Sequence, residues 1–322
     1  MRVIIFGVGA IGGVVAAALA RSGAEVIGIA RGKMLEAIRA NGVRLRSPEV
    51  DVTVPVEVVG SPAEITFRPD DAILLCMKTQ DTMPALEALR QAGVHEQPIF
   101  CLQNGVSNEP MALRFFPNVH GVTVMMPATF LVPGEVNTHA YPRFGLFDIG
   151  RYPNGKDAAD EALAALMNAA NIAAYVDPKV MASKHGKLLL NLGNITGAAF
   201  GPDTDDKALR QAMMAEAKAV FAAAGIDWKD VSGADPRRQE LLKIGEIKGG
   251  PDMSNSTLQS LLRGNGVETD YLNGEIAFQG RKAGVPTPLA DAMIAIAVRM
   301  QREGITPGSL SLPDTMASLG LS

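Results

Sequence analysis

Near the start of the chain, Gly7-Val8-Gly9-Ala10-Ile11-Gly12 follows a β-branched run, residues 2–6, and leads into an alanine-rich segment, residues 14–21. Gly23 closes that segment, and residues 25–30 form a second strand-like run. Strand, glycine turn, helix and strand within about thirty residues predict a βαβ unit. In such a unit Gly7 permits the tight turn. Gly9 removes a side chain where the backbone must approach a pyrophosphate, and Gly12 lets the helix pack on the strand. The helix start offers unbonded N–H groups and a partial positive charge. Gly7, Val8, Gly9, Ala10, Ile11 and Gly12 are therefore candidate dinucleotide-binding residues. The other reading is a glycine-rich turn without a ligand.

The same segment has the basic, apolar and small-residue succession of a secretory signal. Its spaced glycines Gly7, Gly9 and Gly12 and its continuation into another strand argue that it belongs to the mature fold. A chain of 322 residues favours two domains. Its 47% hydrophobic and 20% charged residues suit an ordinary globular protein. A net charge of -4 with scattered basic residues argues against a nucleic-acid partner or a membrane surface. Cys76 and Cys101 end apolar runs, which excludes a disulfide framework and fits a reducing, cytoplasmic compartment. His95, His120, His139 and His185 share no metal-ligand spacing, so no metal is expected.

Further strands are expected at 72–77, 99–102, 119–126 and 173–176, with helices at 34–40, 82–91 and 157–170. Residues 43–59 alternate and contain two prolines, as a hairpin or edge strands do. Residues 132–152 suggest antiparallel strands. From Asp177-Pro178 to Arg302 the pattern is almost entirely helical, and the tail from 304 to 322 reads as loosely ordered. The expected fold is α/β: a Rossmann-type dinucleotide-binding domain over residues 1–178, followed by an all-helical domain over 179–322.

The end of the second strand bears on the choice of nucleotide. An NAD site places an acid there for the ribose 2′-hydroxyl. Here Arg31 and Lys33 stand in that stretch and no acid does. Arg31 can make charge-assisted bonds to a 2′-phosphate, so NADPH is expected, unless Arg31 is a solvated surface residue. Lys78 and Asn104 follow two later strands, on the edge where open sheets bind ligands. A strand-capping lysine and an Asn-Gly turn are their plainer readings.

In the second half, Lys187, Asn191 and Asn194 fall at helical spacing on one face of a leucine-rich helix. Buried polar groups need partners, and a cleft would provide them. A lysine can donate a proton to, or stabilise, the alkoxide that develops when a ketone accepts hydride. Lys184, one turn earlier, is the rival. A further segment carries Ser256 and Glu268. On spacing alone, capping by Ser256 with Gln259 and the helix dipole at Glu268 are the favoured readings.

Together these motifs resemble the ketopantoate reductase (2-dehydropantoate 2-reductase) family over nearly the whole chain. The resemblance rests on Gly7, Gly9, Gly12, Arg31, Lys78, Gln103-Asn104-Gly105, Lys187-Leu188-Leu189-Leu190-Asn191, Ser256-Thr257-Leu258-Gln259 and the segment from Glu268 to Gly274. It implies NADPH-dependent reduction of a small 2-keto acid, an active site in the cleft between the domains, and a homodimer. It implies Lys187 as the acid for the ketone oxygen, with Asn191 and Glu268 in the catalytic group. Ser256 and Glu268 would bind substrate, and Asn104 and Asn191 would face substrate or nicotinamide; Asn194, the asparagine nearest to the family's second one, is a further substrate-binding candidate. Arg31 and Lys78 would contact the nucleotide. The chain departs from the family pattern at Ile195, where an asparagine is usual, and at Asn255, where a serine is usual. Both departures fall around the substrate. A 3-hydroxy acid dehydrogenase and a non-catalytic NADPH sensor are the competing classes.

Overall fold

The structure, a computed structural model, describes residues 1–322 except 252, 254, 263, 265 and 322. It divides into two compact units, Met1–Lys184 with Asp230–Met253, and His185–Lys229 with Ser254–Ser322.

The first unit opens with β1 (Arg2–Phe6), α1 (Ala10–Arg21), β2 (Val26–Ile29) and α2 (Gly32–Asn41). Next come β3 (Val43–Arg46), β4 (Asp51–Val54), β5 (Glu57–Val59), β6 (Asp71–Leu75), α3 (Thr82–Gln91), β7 (Ile99–Cys101), α4 (Asn108–Leu113) and β8 (Val119–Met125). They are followed by β9 (Ala128–Thr129), β10 (Glu135–Thr138), β11 (Ala140–Pro142), β12 (Leu146–Arg151), α5 (Ala158–Ala169) and β13 (Ala173–Val176). Among the described residues the main sheet has the order β13-β12-β8-β7-β6-β1-β2-β5. From β5 to β8 all neighbours run parallel, and β12 joins antiparallel. This is the strand order of dinucleotide-binding folds, and it reverses between β1 and β6. Val3, Ile5, Leu74 and Phe100 join the core on one face, with Val15, Leu19 and Met167. Ile4, Phe6, Ile73 and Leu75 join the core on the other, with Leu86, Leu89 and Phe116. Alternate side chains are thus buried on both faces, as a helix-covered parallel sheet requires.

Several elements differ from the sequence reading. The first helix starts at Ala10 rather than residue 14, because the glycine turn closes within Gly7 to Gly9. Residues 43–59 do contain a hairpin, β3 with β4, while β5 leaves it to pair parallel with β2. Within 132–152, β12 is antiparallel to β8 as expected, but β10 runs parallel to β3.

The second unit holds the end of α6 (Val180–Asn191), then α7 (Asn194–Phe200) and α8 (Lys207–Ala224). The chain then returns to the first unit with α9 (Pro236–Leu241) and β14 (Leu242–Ile244). This return interrupts the helical stretch expected from 179 onward. β14 pairs antiparallel with β11, and Arg237 Nη1 donates to Asp148 Oδ1 at 2.7 Å, so residues 230–253 pack with the sheet unit. The remainder, α10 (Ser256–Leu262), α11 (Asn273–Ala283), α12 (Pro288–Glu303) and α13 (Leu312–Ser318), completes the helical unit. Met213, Val220, Phe221, Ile276 and Met293 are buried in it. Glu216 accepts from the Leu289 and Ala290 N–H groups at 2.9 Å and so caps the start of α12. The tail is not loosely ordered. Gly308 and Leu310 donate to the carbonyls of Ala198 and Ala199, Ser311 Oγ accepts from Asp314 N–H at the start of α13, and Leu312 is buried. No helix among the described residues is long and apolar enough to cross a membrane.

Candidate active site

The glycine loop joins β1 to α1 at the point where the sheet order reverses. Gly7 has a φ of +103°, and a Cβ there would stand 2.8 Å from the backbone nitrogen of Met77. The loop after β6 therefore lies directly against it. A Cβ on Gly12 would overlap the Gly7 carbonyl oxygen and stand 2.9 Å from Cys76 Cβ. A Cβ on Gly9 would meet nothing within 4 Å. Gly7 and Gly12 thus serve close packing, whereas Gly9 faces open space. Gly13 N–H bonds back to the Gly9 carbonyl, so Ala10, Ile11 and Gly12 supply the N–H groups for which a helix start has no internal acceptor. No acid stands in the first turn of α1. A diphosphate fits this cradle by charge and by space.

The Ile29 carbonyl accepts from Gly7 N–H, which ties the end of β2 to the loop. Two residues later Arg31 is exposed at the start of α2, and its side chain makes no capping bond there. Lys78 is half-buried and follows β6, and Asn104 is half-buried and follows β7. The predicted nucleotide residues of this unit therefore sit beyond the carboxyl ends of four neighbouring strands, β2, β1, β6 and β7.

Beneath these loops lies a polar network that the sequence reading missed. Gln103 Nε2 donates to Thr82 Oγ1 at 2.7 Å, and Thr82 Oγ1 donates to Asn108 Oδ1 at 2.8 Å. Asn108 Nδ2 donates to Thr79 Oγ1 and to the Asn104 carbonyl, both at 3.2 Å. Asn108 thereby joins the loop after β6 to the loop after β7. The only local signal for it was a short run, Ser107-Asn108-Glu109-Pro110, of helix-starting character.

Glu109 was missed as well. Its Oε1 lies 2.5 Å from Lys184 Nζ, and that ammonium also donates to the carbonyls of Cys101 and Gln103 at 3.2 and 3.0 Å. Burial pushes the Glu109 carboxyl up, and Lys184 pulls it back only in part. Burial also raises the Cys101 thiol well above its ordinary value, which disfavours a nucleophilic thiolate. A third group brings ligand atoms of buried His120 and Asp160 and half-buried Asp157 within 4.8 Å of one another. Asp157 Oδ2 there accepts from Arg151 at 2.6 Å.

In the helical unit, Lys187 is half-buried on α6. Asn191 is only 5% exposed, and its Oδ1 has no hydrogen-bond partner among the described residues. A buried carbonyl oxygen in that state is suited to a donor from a ligand. Asn194 does not continue α6. The helix stops at Asn191, and Asn194 opens α7 after Gly193. Asn194 Nδ2 donates to Ser256 Oγ at 3.3 Å, which brings two of the predicted substrate residues together. The capping box expected from Ser256 and Gln259 is replaced, because Asn255 Oδ1 accepts from Leu258 N–H at 2.9 Å. Ser256 Oγ therefore meets Asn194. Glu268 is buried and precedes a 3-10 turn, Thr269–Tyr271, rather than an α-helix. Its carbonyl accepts from the N–H groups of Tyr271 and Leu272.

The family pattern described as ketopantoate reductase PanE/ApbA matches residues 3–154, and its C-terminal counterpart matches residues 179–301. A 2-dehydropantoate 2-reductase from Mesorhizobium japonicum is 30% identical over 94% of this chain and 98% of its own length. The crystal structure of a PanE/ApbA family ketopantoate reductase from Ralstonia eutropha superposes with a TM-score of 0.77 at 30% identity, covering 94% of this chain and 99% of that one. A D-mandelate dehydrogenase, solved with NADH and anilino(oxo)acetate, shares the fold with a TM-score of 0.77 at 23% identity, covering 94% of this chain and 99% of that one.

Proposed function

The chain belongs to the ketopantoate reductase family of oxidoreductases, and from that membership we propose that it reduces a small 2-keto acid to the 2-hydroxy acid with NADPH. The first candidate is 2-dehydropantoate (ketopantoate) going to pantoate, a cytoplasmic step of pantothenate biosynthesis. The observation that carries the reading is the engagement of Lys184, the rival lysine of α6. Lys184 is 2% exposed, donates to the carbonyls of Cys101 and Gln103, and is ion-paired with Glu109. The proton for a ketone oxygen is therefore assigned to Lys187.

The nucleotide supplies hydride to C2 when bound. Ala10, Ile11 and Gly12 hold its diphosphate by backbone N–H groups, and Gly7, Val8 and Gly9, whose own N–H groups bond within the protein, form the turn that lets it approach. Arg31 pairs with the 2′-phosphate, which sets NADPH above NADH. Lys78 and Asn104 orient the ribose and nicotinamide sides. Lys187 gives its proton as charge develops on the keto oxygen. Asn191 Oδ1 accepts from a donor on the substrate. Asn194, Ser256 and Glu268 bind the rest of it.

One observation favours a different 2-keto acid as substrate. Ile195, at the position where the family has an asparagine, is 1% exposed and packs in the core, so that position offers no polar group. The test is NADPH oxidation with ketopantoate, followed by absorbance. Turnover with a KM within roughly 1 μM–1 mM is expected for a physiological substrate. Activity with other 2-keto acids alone would replace ketopantoate. Tight NADPH binding without turnover on a broad panel would overturn the reductase in favour of a sensor.

A further inference from the structure

Gly193, just before α7, and Gly197, within it, carry no side chain for a specific reason. A Cβ on Gly193 would overlap Arg210 Nη1 and stand 2.8 Å from its Cζ and 3.1 Å from its Nε. A Cβ on Gly197 would stand 3.0 Å from Asn255 Nδ2 and 3.6 Å from Arg210 Nη2. The Arg210 guanidinium therefore lies against the helix backbone, and the Asn255 amide converges on the same face. Any larger residue at 193 would displace the guanidinium.

The guanidinium is held from one side only. Asp206 accepts from Nε at 2.7 Å through each carboxylate oxygen, and Asp206 is itself fixed by the Thr196 hydroxyl. The Arg210 side chain is 44% exposed, against 12% for Asp206. Arginine has five N–H donors, and Nε carries one of them. The Nη1 and Nη2 edge, with the other four, makes no hydrogen bond to another described residue. Asn255 has its Oδ1 engaged at Leu258 N–H, which leaves its Nδ2 toward Gly197. Next to it, Asn194 Nδ2 bonds Ser256 Oγ. A planar fork fixed by a carboxylate at its back matches a second carboxylate at its front in geometry and charge.

We infer that the Nη1/Nη2 edge of Arg210, with Asn255 Nδ2 beside it, holds a carboxylate of the substrate. The inference rests on the reading of this protein as a 2-keto acid reductase. It adds a binding residue that the sequence motifs do not contain. The carboxylate is either the one beside the keto group or a second one at the far end of a dicarboxylic substrate.

The experiment compares wild type, Arg210→Met and Arg210→Lys by NADPH oxidation. The substrates are ketopantoate, 2-oxoglutarate and the methyl ester of a 2-keto acid. Arg210→Met raises KM for acids about 10- to 100-fold, as loss of a charge-assisted pair implies. KM for the ester does not follow. Arg210→Lys, which keeps the charge without the fork, falls between. Gly193→Ala displaces the guanidinium and raises KM in the same way. A rise for both acids places the carboxylate beside the keto group, and a rise for 2-oxoglutarate alone places it at the far end. If acid and ester move together, or neither moves, the assignment is overturned. A wild type that binds NADPH yet reduces none of the three removes the reductase reading instead. The anchor is then read from the melting-temperature rise that the same acids give. A rise absent in wild type, or equal in wild type and Arg210→Met, overturns it.

Discussion

Lys184 Nζ stands 2.5 Å from Glu109 Oε1, with the lysine side chain 2% exposed and the glutamate side chain fully buried. The pair fixes the first turns of α6 to the strand end that carries Gln103. Removing one member leaves the other charge buried without a counterion, which costs about 3–5 kcal/mol. Lys184→Met and Glu109→Gln should each lower the denaturant midpoint strongly. Lys184→Met with Glu109→Gln should cost less than the sum of the single changes. Strict additivity in a double-mutant cycle would show that the two groups do not act as a pair.

Gly9 and Gly12 should separate binding from folding. Gly9→Ala adds a methyl group where no protein atom lies within 4 Å. It should keep the wild-type melting temperature while nucleotide affinity falls. Gly12→Ala forces its methyl onto the Gly7 carbonyl and the Cys76 side chain. Overpacking of this kind costs about 1–3 kcal/mol, so its melting temperature should drop. Fluorescence titration of NADPH alongside thermal melts checks both. Equal nucleotide affinity in Gly9→Ala and wild type would remove the loop from the binding site.

Arg31 should set the nucleotide preference. Arg31→Ala removes a charge-assisted bond to the 2′-phosphate, and the NADPH:NADH ratio of kcat/KM should fall about 10- to 100-fold. The residue is exposed at a helix start, so stability should hardly change. A ratio unmoved by the substitution places the 2′-phosphate elsewhere.

Lys187→Ala should lower kcat by about 10²–10⁴, the usual effect of losing a general acid. Circular dichroism should show an intact fold. Lys184→Ala should lose activity together with stability. Full turnover by a folded Lys187→Ala protein would move the proton donor to another residue.

Asp157 should give an acid-sensitive contribution to stability. Burial alone raises its carboxyl. Arg151, His120 and the N–H groups of Ala159 and Asp160 outweigh burial and hold it below the ordinary carboxylate value. A depressed carboxyl stabilises the fold above its unfolded pKa of about 3.9 and loses that contribution as pH falls through the folded value. Asp157→Asn should therefore be less stable at neutral pH, and the gap to wild type should close in acid. A gap that persists at pH of about 2 would assign the effect to capping alone.

The sequence determined the parts of the fold whose causes are local. Residues 2–30 announce β1, the glycine turn, α1 and β2, because strand alternation, helix spacing and glycine conformations are properties of neighbouring residues. The helix Thr82–Gln91 and the strand Ala173–Val176 were legible for the same reason. The places of Arg31, Lys78 and Asn104 in the loops beyond strand ends were legible too. Less was legible where short segments depend on distant partners. α4 is six residues long and contains Pro110, and β14 is three residues long inside a helical stretch. Neither has enough repeats of a pattern to be seen. Only the tertiary structure decided which polar groups meet. Strand register brings the end of β7 to Lys184 and Glu109, and a helix break at Gly193 makes room for Arg210. Residues far apart in sequence carry no mark of each other. What pairs them is the place where strands end and backbones come close enough to exclude a side chain, and that is fixed only when the whole sheet and bundle have packed.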